Sequence, residues 1–221
     1  MTLSMKASRL ALVVLCGVAL AACSSIQPVP YSGISSSSVL TANTKDDSGR
    51  IPYSYSTPVD WSKYNRIIID PVTAYRGPDQ QFGDMDEKDK ATLVSYMQTQ
   101  FTEKLKTRFL VTSNASANTL RVKLTLTGAA TSTPVLSTFS RFDLGGGPYN
   151  AVQTARGKEG LFTGSVIYAV EIYDAPNDRL LSAFITKQYP SPWNIGATMG
   201  SLAASKAGIE KGADALVAQL K

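Results

Sequence analysis

Few residues in this chain have the type and placement to do chemistry, and the first is Cys23, directly after Leu20-Ala21-Ala22. Cys16, the other of the two cysteines, lies inside an apolar run and reads as a small apolar residue. There is no histidine. That excludes a Ser-His-Asp triad, a Cys-His dyad, a histidine base and His-ligated zinc. The carboxylates Asp79, Asp84, Asp86, Glu87 and Asp89 are close enough in sequence to suggest calcium, which takes about six to eight oxygens. Their spacing matches no EF-hand loop, and a helix N-cap with an acidic first turn accounts for most of them. Gly145-Gly146-Gly147-Pro148, near Arg141, Arg156 and Lys158, could cradle an anion. It lacks the Walker and dinucleotide spacings, and a surface loop is the simpler reading. Tyr189 and Trp193 read either as an exposed aromatic anchor for a partner or as rings folded back over a sheet edge. The sequence therefore assigns no catalytic residue, no metal site and no cofactor.

The elements before Cys23 decide what its thiol is for. Lys6 and Arg9 precede the apolar segment Leu10 to Leu20, which ends in small residues, the order of a secretory signal peptide. The run is shorter than the roughly 20 residues a bilayer-spanning helix needs. Leu20-Ala21-Ala22-Cys23 resembles the lipobox of bacterial lipoproteins at all four positions. The resemblance implies cleavage between Ala22 and Cys23 and acylation of Cys23 by palmitate-like chains. Ser24 follows, with no aspartate there; similarity to the Gram-negative sorting rule implies the outer membrane, with the domain in the periplasm. Removing Lys6 and Arg9 with the leader lowers the formal charge from +5 to +3 and leaves 199 of 221 residues. No dense basic block suggests nucleic acid. With Cys23 acylated, no disulfide can form within the chain, so the fold must rest on its hydrophobic core.

The expected organisation is a signal peptide over 1–22, a lipidated cysteine and flexible tether over 23–50, and one domain over 51–221. The stretch from Ser24 to Arg50, with Ser35 to Ser38 at its middle, is short of core residues. Tyr31, Ile34, Val39 and Leu40 are apolar islands within it that could dock on the domain. Arg66 to Val72 predicts a central strand that stops at Pro71. Asp86 predicts the N-cap of a helix over Glu87 to Thr107, with Ala91, Val94, Met97 or Gln98, Phe101 and Leu105 on its buried stripe, widened by Leu93 and Tyr96. Phe109 to Val111 reads as a short strand. From Thr119 to Gly128, Leu120, Val122, Leu124 and Leu126 alternate with Arg121, Lys123, Thr125 and Thr127, the pattern of a strand with one wet face. A short strand is expected around Val135 to Phe142. Gly164 to Asp174 and Leu180 to Tyr189, joined by Ala175-Pro176-Asn177-Asp178, predict a hairpin. A last helix from Met199 to Leu220 places Ala204, Gly208 and Gly212 at spacing four, suited to close packing. These elements predict an α+β two-layer sandwich: a mixed sheet of four to five strands with two main helices on one face.

Tyr64-Asn65-Arg66-Ile67-Ile68-Ile69-Asp70-Pro71-Val72 resembles the Tyr-x-x-apolar-Asp-Pro-Val signature of a bacterial lipoprotein family, domain of unknown function 3313. Ser32-Gly33-Ile34, continuing to Val39-Leu40, is similar to the family's short motif near the mature N-terminus, with Ser35 to Ser38 filling its middle. The resemblance implies a periplasm-facing lipoprotein domain and carries over no activity, cofactor or catalytic residue. The expected function is a non-enzymatic outer-membrane lipoprotein, anchored through Cys23, that serves an envelope protein as adaptor or assembly accessory. The alternatives are a binding module for a small molecule, lipid or glycan, and a hydrolase using carboxylates alone. Oligomeric state is left open.

Overall fold

The computed structural model describes residues 26–131, 152, 164–191 and 200–221. In chain order its strands are β1 (Thr41–Ala42), β2 (Tyr53–Ser56), β3 (Arg66–Ile69), β4 (Thr73–Ala74), β5 (Leu110–Val111), β6 (Thr119–Ala130), β7 (Ser165–Asp174) and β8 (Arg179–Gln188). Helix α1 (Glu87–Leu105) lies between β4 and β5, and α2 (Ala203–Gln219) follows β8. The strands form a single eight-stranded sheet in the order β1-β2-β8-β7-β6-β3-β5, with β4 paired to β6. β3 lies parallel to both β5 and β6, while β6, β7 and β8 form an antiparallel meander. The fold is mixed α+β.

Side-chain alternation on β6 sets the two faces. Leu120, Val122, Leu124 and Leu126 enter the main core with Val166, Tyr168, Val170 and Ile172 of β7. Both helices join this same core, α1 through Leu93, Met97, Phe101 and Leu105, and α2 through Ile209, Ala213 and Leu216. Each fully buried Val, Leu, Ile, Phe or Met side chain among them contributes about 1.5–3 kcal/mol. Asp86 caps α1 by accepting a bond from the Asp89 amide at 2.7 Å. At the helix ends, Arg108 donates to the carbonyls of Leu220 and Trp61 at 3.1 Å each.

Gly212 shows how closely α2 lies on the sheet. A Cβ there would stand 1.7 Å from the Tyr168 hydroxyl. Tyr168 is only 1% exposed and packs edge-on against Phe101 at 5.7 Å between centroids, so its ring has nowhere to retreat. Burial holds its phenol well above the ordinary value.

Three expectations need correction. The sheet has more strands than four to five, because β1, β2 and β4 add short pairings of two to four residues, while the short strand expected at Phe109 to Val111 is present as β5. Such pieces are too brief for a period-two pattern; the strands beside them, β2 for β1, β8 for β2 and β6 for β4, select them. On α1 the buried stripe is Leu93, Met97, Phe101 and Leu105, and Ala91 is exposed, so the stripe is rotated from the one expected. The third correction concerns residues 26–50. They lie on the sheet instead of forming a free tether. Tyr31 and Ile34 join Tyr75, Ile167, Ala169 and Ile185 in a second core on the face away from the helices. The strand expected around Val135 to Phe142 lies outside the described residues.

Candidate functional site

The face opposite the helices gathers the unusual polar chemistry of the molecule, and the N-terminal segment covers it. On β6 this face presents Arg121, Lys123, Thr125 and Thr127. Glu171 on β7 is the cross-strand partner of Lys123, and Tyr173 that of Arg121. Glu171 is 1% exposed. A carboxylate so buried is costly unless it is paired and hydrogen-bonded. The Ser36 amide donates to its Oε1 at 2.6 Å, and Lys123 Nζ stands 3.6 Å from its Oε2. Lys123 also donates to Ser35 Oγ at 2.9 Å. The serine pair Ser35-Ser36 therefore contacts both members of a pair made by a half-exposed Lys123 and a buried Glu171, whose Oε2 accepts no hydrogen bond among the described residues. Burial, and then the Glu171 charge, push the Tyr173 phenol up to about 12.

A second set of bonds fixes the start of the same segment. Tyr31 is 1% exposed and meets Tyr75 edge-on at 5.5 Å. Its backbone sits at a φ of 35°, a left-handed conformation that burial and hydrogen bonding of the ring must offset. The Tyr31 hydroxyl donates to Gln81 Oε1 at 2.5 Å, and Gln81 Nε2 donates to the Gln27 carbonyl at 2.8 Å. Burial raises the Tyr31 phenol to about 12. The Tyr75 hydroxyl accepts from the Gly33 amide at 2.9 Å and donates to Asp79 at 2.7 Å. Asp79 accepts from the Ser32 amide with its other oxygen at 2.8 Å. The Tyr75 bond, and then that from Ser32, hold the Asp79 carboxyl below its ordinary value. A Cβ on Gly33 would lie 2.8 Å from the Tyr75 oxygen, so glycine is what lets the backbone reach it.

The Asp-Pro-Val stretch turns out to be a junction. Asp70 accepts from Arg121 Nε at 3.1 Å, and the other end of that guanidinium donates to Asp178 at 3.0 Å. These bonds, Asp70 first, raise the Arg121 pKa. The Val72 amide donates to Gln98 Oε1 of α1 at 2.8 Å, while Val72 itself is buried. Pro71 interrupts the ladder between β3 and β4, as its missing donor requires.

The remaining candidates disperse. Glu87 pairs with Arg76 and Lys90 on the surface, Asp86 caps α1, and Asp79 clasps the N-terminal segment. Among the described residues no group of three or more His, Cys, Asp or Glu could hold a metal ion. Tyr189 is 4% exposed, with the Arg50 guanidinium 3.8 Å above its ring, so that ring offers no open partner surface. Trp193, the glycine run at 145–147 and the signal and lipidation residues Ala22 and Cys23 lie outside the described residues. Sequence reasoning missed Tyr75, Gln81 and Glu171. Glu171 had a signal, a lone carboxylate between Val170 and Ile172 in a strand that is otherwise apolar.

The chain belongs to the family described as Protein of unknown function (DUF3313), whose model matches residues 30–216. That span takes in both Ser32-Gly33-Ile34 and Asp70-Pro71-Val72. No curated protein matches the chain. Among solved structures it is similar to a Leu-to-Met variant of the PelC dodecamer from Paraburkholderia phytofirmans, at 9% identity and a TM-score of 0.38, covering 76% of this chain and 90% of that one. A second PelC dodecamer structure from the same organism matches at 10% identity and a TM-score of 0.38, covering 73% and 94%. Among the described residues no helix is long and apolar enough to cross a membrane.

Proposed function

We propose that this protein is a lipoprotein of the Gram-negative outer membrane, acylated on Cys23, whose non-catalytic α+β domain works in the periplasm as an adaptor or assembly accessory for other envelope components. The observation that carries the reading is the run Lys6 to Cys23, with its charged start, apolar middle and Leu-Ala-Ala-Cys end. Two acyl chains, at about 0.8 kcal/mol per buried CH₂, give stable attachment where one is marginal. Held in a thin shell at the membrane, the domain meets envelope partners at raised effective concentration. The carboxylates Asp79, Asp86, Glu87 and Glu171 are spent on clasping, capping and pairing, which supports an architectural role over a hydrolytic one.

Cross-linking in living cells, with Cys23→Ala as the mislocalised control, tests this directly. One envelope protein captured by the anchored form and lost in the variant supports the adaptor role; capture of the same protein by both forms refutes the need for an anchor. A second reading, a binding module for a small molecule, lipid or glycan, would have to use the shallow outer face of α1, where Ala91, Thr92, Ser95, Tyr96 and Thr99 line an open depression on one helix. Saturable ligand shifts of those residues in an NMR titration would support it.

A further inference from the structure

We infer that the domain stands end-on at the membrane: the end of the sheet holding Ile26 and Gln27 rests against the lipid headgroups, and the β7–β8 turn points away. This rests on the proposed acylation of Cys23. Lys187 Nζ donates to the Ile26 carbonyl at 2.8 Å, and Gln81 Nε2 to the Gln27 carbonyl at 2.8 Å. Lys187 is itself 3% exposed near the end of β8, and Gln81 bridges to Gly128 near the end of β6. The first described residues are thus fixed to the sheet. Only Ser24 and Ser25 separate Ile26 from Cys23, three steps along the chain, and a trans chain spans at most ~3.6 Å per residue, so the acylated residue is within about 11 Å of that attachment.

Register shows which end this is. Ala130 pairs with Ser165 and Val166 with Gln188 at the anchored end, while Leu120 pairs with Asp174 and Asp174 with Arg179 at the other. β7 has ten residues, about 30 Å at ~3.3 Å each. A leash of about 11 Å on a body of about 30 Å keeps the Ile26 end at the membrane. Ile26, 41% exposed, supplies an apolar contact where the chain leaves the sheet. Among the described residues, Arg50 and Asp79 give this end charges of both signs, and the covalent anchor sets the contact, which persists in salt. The surface left for a periplasmic partner is then the far end, where Pro176, Asn177 and Asp178 are exposed.

The test uses the full lipidated protein in vesicles of phosphatidylethanolamine and phosphatidylglycerol carrying a headgroup acceptor dye. The mature chain has no thiol besides Cys23, so one introduced cysteine takes a donor dye uniquely. Thr131→Cys marks the anchored end and Pro176→Cys the turn, both at exposed positions. We expect strong energy transfer from position 131, weak transfer from 176, and the same contrast at high salt. A 20-residue Gly/Ser insertion between Ser25 and Ile26, whose reach is about 25 Å, should bring the two signals together while attachment persists. Equal transfer from both positions without the insertion, or stronger transfer from 176, overturns the orientation while leaving the lipoprotein reading intact. Failure of the acylated protein to stay on vesicles overturns both.

Discussion

Replacing Glu171 tests whether the N-terminal segment is part of the folded domain. In Glu171→Ala the Ser36 amide, on a residue 1% exposed, loses its acceptor at 2.6 Å. A buried donor left unsatisfied costs about 1–3 kcal/mol, and a hydrogen bond to a charged group is worth about 1.5–3 kcal/mol. These are two views of one loss and do not add in full. Lys123 also loses its partner at 3.6 Å, but it is 38% exposed, so that part is worth at most about 1 kcal/mol. The expected total is about 2–4 kcal/mol. Glu171→Gln keeps an oxygen for Ser36 and replaces the charged oxygen facing Lys123 by an amide nitrogen, so it should cost about 1 kcal/mol. Urea denaturation of the non-lipidated mature chain gives both values. Hydrogen exchange at Ser36 should quicken in the alanine variant well before global unfolding. If both variants lose less than about 0.5 kcal/mol and the Ser36 amide exchanges as freely in the parent protein, the segment is not held as described.

Three further outcomes follow from the same contacts. Gly212→Ala gains about 1 kcal/mol of helix propensity but drives a Cβ to 1.7 Å from the Tyr168 hydroxyl, an overpacking cost of typically 1–3 kcal/mol or more, so net destabilisation is expected. Tyr168→Phe in the same chain should return part of it in thermal melts. The depressed Asp79 carboxyl contributes stability that is present above its unfolded value near pH 4 and is lost as pH falls through its folded value. The difference between wild type and Asp79→Ala in urea midpoint should therefore be present at pH 6 and shrink as pH falls below about 4. Tyr31 and Tyr173, raised from 10.0 to about 12, contribute stability that is complete below pH 10 and disappears as pH climbs toward 12. Alkaline unfolding followed by tyrosinate absorbance should shift to lower pH in the loosened Glu171→Ala variant.

How much of this was legible in the sequence depends on the range of the forces involved. The cap at Asp86, the alternation through Leu126 and the hairpin around Asn177 are local patterns, and they appear where the spacing puts them. The close approach of α2 was legible from Gly208 and Gly212, whose spacing needs no knowledge of the partner strand. The N-terminal segment was misread because its few apolar residues do not offset the entropy of ordering it alone. Its order comes from groups far away in the chain: Ser36 reaches Glu171 across 135 positions, and Gly33 reaches Tyr75 across 42. A stretch rich in serine looks like a linker until a buried carboxylate elsewhere needs its amides. The short strands β1 and β4 were missed for a related reason, since two residues carry no period of their own and are chosen by the strand beside them. The family signature was visible as a string, but its physical meaning was not. Asp70 and Val72 tie β3 to Arg121 and to Gln98 of α1, and neither partner lies near them in sequence.

The most direct test of the account is the mass of the mature N-terminal peptide, isolated from membranes of cells making the full chain. Trypsin should release a peptide that begins at Cys23 and ends at Lys45, carrying the added mass of a diacylglyceryl group and an N-acyl chain on the cysteine. An N-terminus elsewhere, or an unmodified Cys23, would contradict the anchor on which the proposed function rests.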